Sequence, residues 1–295
     1  MIDVYKDISE ALEYYGSSIL EKTPVRSANR KNTNTYKNEL IEVHPAFFAV
    51  EDPTKVLYNF DNYKSQPYWV AGEIITEMLG LNPPMIINYR PDIVEWSYDL
   101  LDSGRVCYSY GSRWQNHNSI EKTVARLMSD KTSKRLYVPI FDQNDVGDTR
   151  DAPCNLGFLL LCRDNKLDLT LFARSIDVMR GFRYDPALFS FLQQMLASVV
   201  RVDVGKFYYY CNSLHCYSQD VSKLESAIDD IKNKRGEMKS LVVDRGIELR
   251  KIYDDMRHLY EMDAILRKTS DKIDVNALNY DISKEFAKIL IVKNT

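Results

Sequence analysis

Between Lys166 and Cys211 the apolar spacing changes twice, and no single kind of secondary structure accommodates both changes. Leu167, Leu169 and Leu171 alternate with Asp168 and Thr170, the period of a half-buried strand that delivers Arg174 at its end. Asp185-Pro186 then opens an apolar run from Leu188 to Val200. Aspartate at an N-cap with proline in the first turn is a helix-start pattern. Val204 to Cys211 reads as a last strand. A strand, a buried helix and another strand in succession require a sheet covered by helices, so the expected class is α/β (α+β), in a domain ending near residue 218.

Other segments fit that class. Ile8, Leu12, Tyr15 and Ile19 stand at helical spacing and stop at Thr23-Pro24. Leu40 to Val43 has strand character, while 69–80 and 119–129 are expected to be short amphipathic helices. The run from Arg135 to Phe141 reads as a strand, and Pro139 assigns it to an edge or a bulge. Beyond Gln219 there is no proline or cysteine, charge is dense and mixed, and apolar residues step by three and four with interruptions at Arg235, Arg245 and Asp263. This gives a division into residues 1–218 and a helical extension, 219–295. The extension reads as a helical hairpin packed on the main domain, or as a coiled-coil contact between subunits. Gly236 and Gly246 weaken a single helix.

Composition excludes some functions. With 39 Lys+Arg against 42 Asp+Glu, no global field attracts a nucleic acid polymer or an anionic membrane. Five cysteines form no secreted-scaffold rhythm and no Cys-x-x-Cys pair, so neither disulfides nor a metal site is expected. No leader or spanning apolar run appears, and the expectation is a soluble, reduced, cytoplasmic protein.

The chemistry lies in an ordered set of residues. Cys154 sits in Arg-Asp-Ala-Pro-Cys-Asn; Arg174-Ser175-Ile176-Asp177 follows, then Gly181-Phe182-Arg183-Tyr184-Asp185, then Ser213-Leu214-His215-Cys216-Tyr217. A thiol is a strong nucleophile when cations favour its charged form, and Arg150, Lys134 and Arg135 lie in windows that could supply them. Cys107, Cys162, Cys211 and Cys216 lack such company and are assigned to packing. Arginine's planar fork suits phosphate.

In this order and spacing the set resembles the thymidylate synthase and pyrimidine hydroxymethylase superfamily, over Glu73 to about Tyr217. The resemblance implies a thymidylate synthase-like mixed sheet with packed helices, a homodimer, a pyrimidine nucleoside monophosphate as substrate and 5,10-methylenetetrahydrofolate as one-carbon donor. It implies that Cys154 adds to C6 of the base, and that Glu73, in Glu-Ile-Ile-Thr-Glu-Met-Leu-Gly, organises water and proton transfer, with Glu77 as competitor. Arg174 and Ser175 would bind phosphate with Lys134 and Arg135 from the other subunit and Arg30, or else Arg26, from an early loop. Lys134 departs from the family's usual arginine. Tyr110, in Tyr-Gly-x-x-Trp with Trp114, would line the pocket, Asp177 would face folate, and His215 and Tyr217 would bind the sugar hydroxyl. Trp96, fourteen residues before Tyr110, matches a tryptophan near the transferred carbon.

Asp185 bears on the base. The synthases carry asparagine there, which donates to O4 and accepts from N3–H of uracil. Cytosine reverses that edge, and a carboxyl that accepts from the amine and shares a proton with N3 is complementary. Aspartate at this place is similar to the deoxycytidylate hydroxymethylases, so dCMP, or CMP, is the expected substrate. Thymidylate synthesis and a non-catalytic nucleotide-binding regulator are the alternatives.

Overall fold

The computed structural model describes residues 2–26, 39–89, 109–146, 152–269 and 274–294. In chain order these form β1 (Asp3–Tyr5), α1 (Ile8–Leu20), β2 (Val25–Arg26), β3 (Glu39–Val43), β4 (Ala46–Val50), β5 (Lys55–Phe60), α2 (Pro67–Leu79), α3 (Tyr110–Asn116) and α4 (Ser119–Ser129). There follow β6 (Tyr137–Pro139), β7 (Asn155–Arg163), β8 (Lys166–Ala173), β9 (Ile176–Asp177), α5 (Gly181–Val200), β10 (Asp203–Cys211), β11 (Leu214–Tyr217), α6 (Val221–Lys232), β12 (Gly236–Ser240), α7 (Leu249–Leu266) and α8 (Asp281–Asn294). The mixed α/β class expected from the spacing is the one observed. Arg30, Trp96, Cys107 and Arg150 lie outside the described residues.

Six strands in the order β1-β4-β10-β8-β7-β6 make the main sheet, with both parallel and antiparallel neighbours. Its alternation is the one the sequence carries: Leu167, Leu169, Leu171, Phe158, Leu160, Phe207 and Tyr209 point to one face and are buried there. Against that face lies α5, with Phe158 and Phe189 rings 5.7 Å apart. The β6 strand is an edge, as Pro139 requires. The opposite face carries Phe47, Tyr137, Leu159 and Leu161 in the open.

Four expectations are corrected. Asp185 is not an N-cap, because α5 begins four residues earlier and includes Pro186. A proline interrupts only one backbone bond, and helix packing on both sides carries the first turn past it. Helix α2 is not amphipathic; Trp69, Val70, Ala71, Ile74, Ile75 and Met78 cover most of its circumference and all are buried. Helices α3, α5, α7 and α8 pack around it, so little of its surface beyond half-buried Glu73 and its two ends meets water. The strand β10 is not the last, since β11 and β12 follow. Finally, the stripe beyond Gln219 comprises, among the described residues, three α-helices and a strand: Gly236, at φ +133°, begins β12, which pairs antiparallel with β5.

That C-terminal segment is laced to the central helix. Gln194 donates to Leu241 O at 2.9 Å and accepts from Val243 N at 3.1 Å, and Ser198 hydrogen-bonds Asp244 O and Ile247 N. Leu224, Ile228, Met256, Leu259, Phe286 and Leu290 belong to the same continuous core as the sheet. Among the described residues, no helix is long and apolar enough to cross a membrane.

Candidate functional site

The site forms where β7 begins, β8 ends and α5 starts. Cys154 immediately precedes β7 and is half-buried, whereas Cys162, Cys211 and Cys216 are buried. Burial pushes the thiols of Cys211 and Cys216 up to about 12, which keeps them protonated and inert. Arg174 follows β8, and its backbone N–H closes onto Cys154 O at 2.8 Å. Its guanidinium donates to Pro153 O at 2.9 Å and Ala152 O at 2.7 Å, and lies 3.9 Å from Cys154 Sγ. A cation held there stabilises negative charge on sulfur.

Next along the chain, Asn155 is fully buried. Its amide donates to Asp185 Oδ2 at 3.1 Å and to the Tyr110 hydroxyl at 3.2 Å. Asp185 therefore faces the cysteine segment from the first turns of α5. Burial raises its carboxyl to about 7, offset in part by the Asn155 hydrogen bond. Asn155 Oδ1 is buried with no hydrogen-bond donor among the described residues. An unmet acceptor costs about 1–3 kcal/mol, so core stability does not explain an amide at this position.

Glu73 and Glu77, one helical turn apart on α2, have different tasks. Glu77 accepts from the Gly111 N–H and from Ser109 Oγ at 3.4 Å, so it anchors the start of α3 and with it Tyr110. Burial raises its carboxyl to about 7. Glu73 is half-buried and hydrogen-bonds Trp69; burial first, and then the charges of Asp185 and Glu77, hold it well above the usual carboxylate range. Trp69 stacks on Tyr184 with ring centroids 4.9 Å apart, forming a wall beside Glu73 and Asp185. Trp114, by contrast, is a core residue: it is buried and gives its indole N–H to Glu77 O at 2.9 Å.

The contact between α2 and α3 is close enough to test. A Cβ on Gly111 would lie 2.1 Å from Glu77 O, so Gly111→Ala must push α3 away. We expect it to destabilise the protein by about 2 kcal/mol or more, measured by urea and thermal unfolding.

The second half of the set gathers on β9 and β11, which pair in parallel with His215 opposite Asp177. His215 is buried, with Nδ1 3.3 Å from Ser175 Oγ, and its ring meets Tyr217 edge-on at 5.2 Å. Asp177 accepts from Met179 N at 2.8 Å and pairs with Arg180, whose other nitrogen lies 3.0 Å from Asp220. Ser175, next to Arg174, joins this group to the cysteine.

Lys134 and Arg135 are elsewhere. Both are exposed before β6, and Leu136 O accepts from Leu160 N at 3.0 Å, which puts them beside the far end of β7 from Cys154. At ~3.3 Å per strand residue, that separation is roughly 20 Å. Arg26, the alternative to Arg30, is exposed in β2 opposite Glu39. Sequence reasoning does not single out Asn155 or Arg180, although each leaves a signal. Adjacency to the cysteine points to the first, and the i,i+3 spacing from Asp177 to the second. Among the described residues, no three His, Cys, Asp or Glu side chains gather where they could hold a metal ion.

Sequence comparison relates the chain to known proteins. Three relatives are thymidylate synthases: from Mycoplasma mobile, 26% identical, covering 50% of this chain and 51% of the relative; from Vesicomyosocius okutanii subsp. Calyptogena okutanii, 27%, covering 44% and 52%; and from Mycoplasma genitalium, 24%, covering 62% and 65%. The chain thus spans between half and two thirds of the length of these relatives. The family model for thymidylate synthase matches residues 84–262. The match leaves Glu73 outside, takes in Cys154, Arg174, Asp177, Asp185, His215 and Tyr217, and continues past Tyr217 through most of α7. With more than half of its residues covered, this chain belongs to the thymidylate synthase family.

Proposed function

We propose that the chain is a folate-dependent 5-hydroxymethyltransferase acting on a cytidine monophosphate, dCMP before CMP. The observation that carries this reading is the Asp185 carboxyl, buried and tied through Asn155 to the residue beside Cys154. C5 of a pyrimidine attacks an electrophilic carbon only after a thiolate has added to C6, and protonation at N3 offsets the charge this places on the ring. Cys154 supplies the sulfur and Arg174 the adjacent positive charge. Asp185, neutral below about pH 7, offers a proton toward N3 and a bare oxygen toward the amine of cytosine. Glu73, raised well above the ordinary carboxylate range, holds a proton for the water at the base. Ser175, His215 and Tyr217 contact phosphate and sugar.

Bound 5,10-methylenetetrahydrofolate supplies the one-carbon unit. Asp177 is the residue that would face it, and the wall made by Trp69 and Tyr184 fits a flat aromatic group; Trp96 is assigned to the same partner. Water then captures the exocyclic methylene of the base.

A homodimer is part of the proposal. The open face with Phe47, Tyr137, Leu159 and Leu161 is apolar, and the position of Lys134 and Arg135 at the far end of β7 suits donation to a partner's phosphate. Leu159→Lys with Leu161→Lys should yield a folded monomer by sedimentation, with kcat/KM lowered about tenfold or more for want of the partner's cations.

Thymidylate synthesis is the second reading, favoured by the names of the relatives. Tritium release from [5-³H]dCMP, [5-³H]CMP and [5-³H]dUMP with methylenetetrahydrofolate separates the substrates. Preference for dUMP, or formation of dihydrofolate rather than tetrahydrofolate, would overturn the hydroxymethylase reading.

A further inference from the structure

Asn155 reaches one oxygen of Asp185, Oδ2, at 3.1 Å, and it does so from a fixed position. It is the first residue of β7, paired with Ala173 of β8, and is fully buried, so its amide cannot swing away without undoing the start of the strand. Glu73 and Glu77 from α2 and Tyr209 and Cys211 from β10 are close enough to feel the same carboxyl, while Tyr110 from α3 shares the Asn155 amide and Cys154 adjoins Asn155 in the chain.

In a neutral carboxyl the carbonyl oxygen accepts an amide N–H better than the hydroxyl oxygen does, so this contact favours the Asp185 proton on Oδ1. Which oxygen carries the proton matters, because the two bases ask for opposite patterns. Cytosine needs a hydroxyl opposite N3 and a bare oxygen opposite its amine. Uracil needs a bare oxygen opposite N3–H and a hydroxyl opposite O4. A neutral carboxyl free to carry its proton on either oxygen would serve both bases.

We infer that Asn155 is a specificity-determining residue: by holding Oδ2 as an acceptor it biases the carboxyl proton to Oδ1, the oxygen taken to lie opposite N3, and so favours the cytosine pattern on Asp185. This inference rests on the proposed role of Asp185 as base reader.

Asn155→Leu keeps the shape of the side chain and removes its N–H groups. The ratio of kcat/KM for tritium release from [5-³H]dCMP over [5-³H]dUMP is expected to fall about tenfold or more in this variant. Asn155→His, which keeps a ring N–H, should retain most of the ratio. A folded leucine variant with the wild-type ratio overturns the inference. Should that variant fail to fold, Tyr110→Phe decides: it leaves the amide to Asp185 alone, so the ratio should hold or rise, and its collapse overturns the inference. A wild-type protein that prefers dUMP ends the base assignment itself. The hold on Asp185 is then read from carboxyl ¹³C titration without substrate, comparing wild type with Asn155→His and Asn155→Leu. Loss of the donor should raise the Asp185 midpoint by about one pH unit, and an unmoved midpoint overturns the positioning role whatever the reaction.

Discussion

Cys154→Ser is expected to lower product formation by roughly a thousandfold or more while leaving dCMP binding intact. The serine hydroxyl is a far weaker nucleophile toward C6, and the guanidinium of Arg174 near Sγ cannot ionise it at neutral pH. The phosphate and sugar contacts proposed for Ser175, His215 and Tyr217 do not pass through the sulfur. Tritium release from [5-³H]dCMP, with equilibrium dialysis of dCMP on the same protein, measures the two effects separately. Unchanged turnover would remove this thiol from the mechanism, and loss of binding together with turnover would point to damage of the loop that Arg174 holds at Ala152 and Pro153.

Asp185→Asn should cost about a hundredfold or more in kcat/KM for dCMP and shift preference toward dUMP, since an amide can hydrogen-bond to N3 but cannot transfer a proton to it as charge builds on the ring. The pH profile carries the sign. Burial raises the Asp185 carboxyl to about 7, so its neutral form is complete well below that pH and is lost as pH rises through it. For the wild-type protein kcat/KM with dCMP should therefore fall about tenfold per pH unit above about pH 7. In the asparagine variant that limb should vanish. A wild-type profile flat from pH 6 to 9 would show that the carboxyl does not titrate in the free protein and would end the proton argument.

Much of the candidate site is legible in the amino-acid sequence, because strand-end chemistry leaves local marks. Lys166 to Ala173 carries its own alternation, and the strand it forms delivers Arg174 at its end. Ser175, Asp177, His215 and Tyr217 are close because β9 and β11 pair, a relation that their order in the sequence already matches. The helix expected over 119–129 has those same bounds in the fold. What escapes is every feature that depends on a distant neighbour. The polar or apolar character of the outer side of α2 is set by α7 and α8, nearly two hundred residues later in the chain. Asp185 has the local pattern of a cap because proline follows it; tertiary packing extends the helix backward by one turn and frees the carboxyl for Asn155.

Asn155 is the clearest case of that division. By itself the sequence determined that a cysteine, an arginine-serine motif, an aspartate and a His-x-Tyr pair stand in one order on an alternating sheet, because side-chain period and chemical type are local properties of the chain. Only the tertiary structure decided that an amide beside the cysteine grips one oxygen of the aspartate, that Glu77 anchors α3 while Glu73 remains at the site, and that Lys134 and Arg135 lie a strand's length from Cys154. Hydrogen bonds and desolvation depend on distance in space, and spacing along the chain does not encode it.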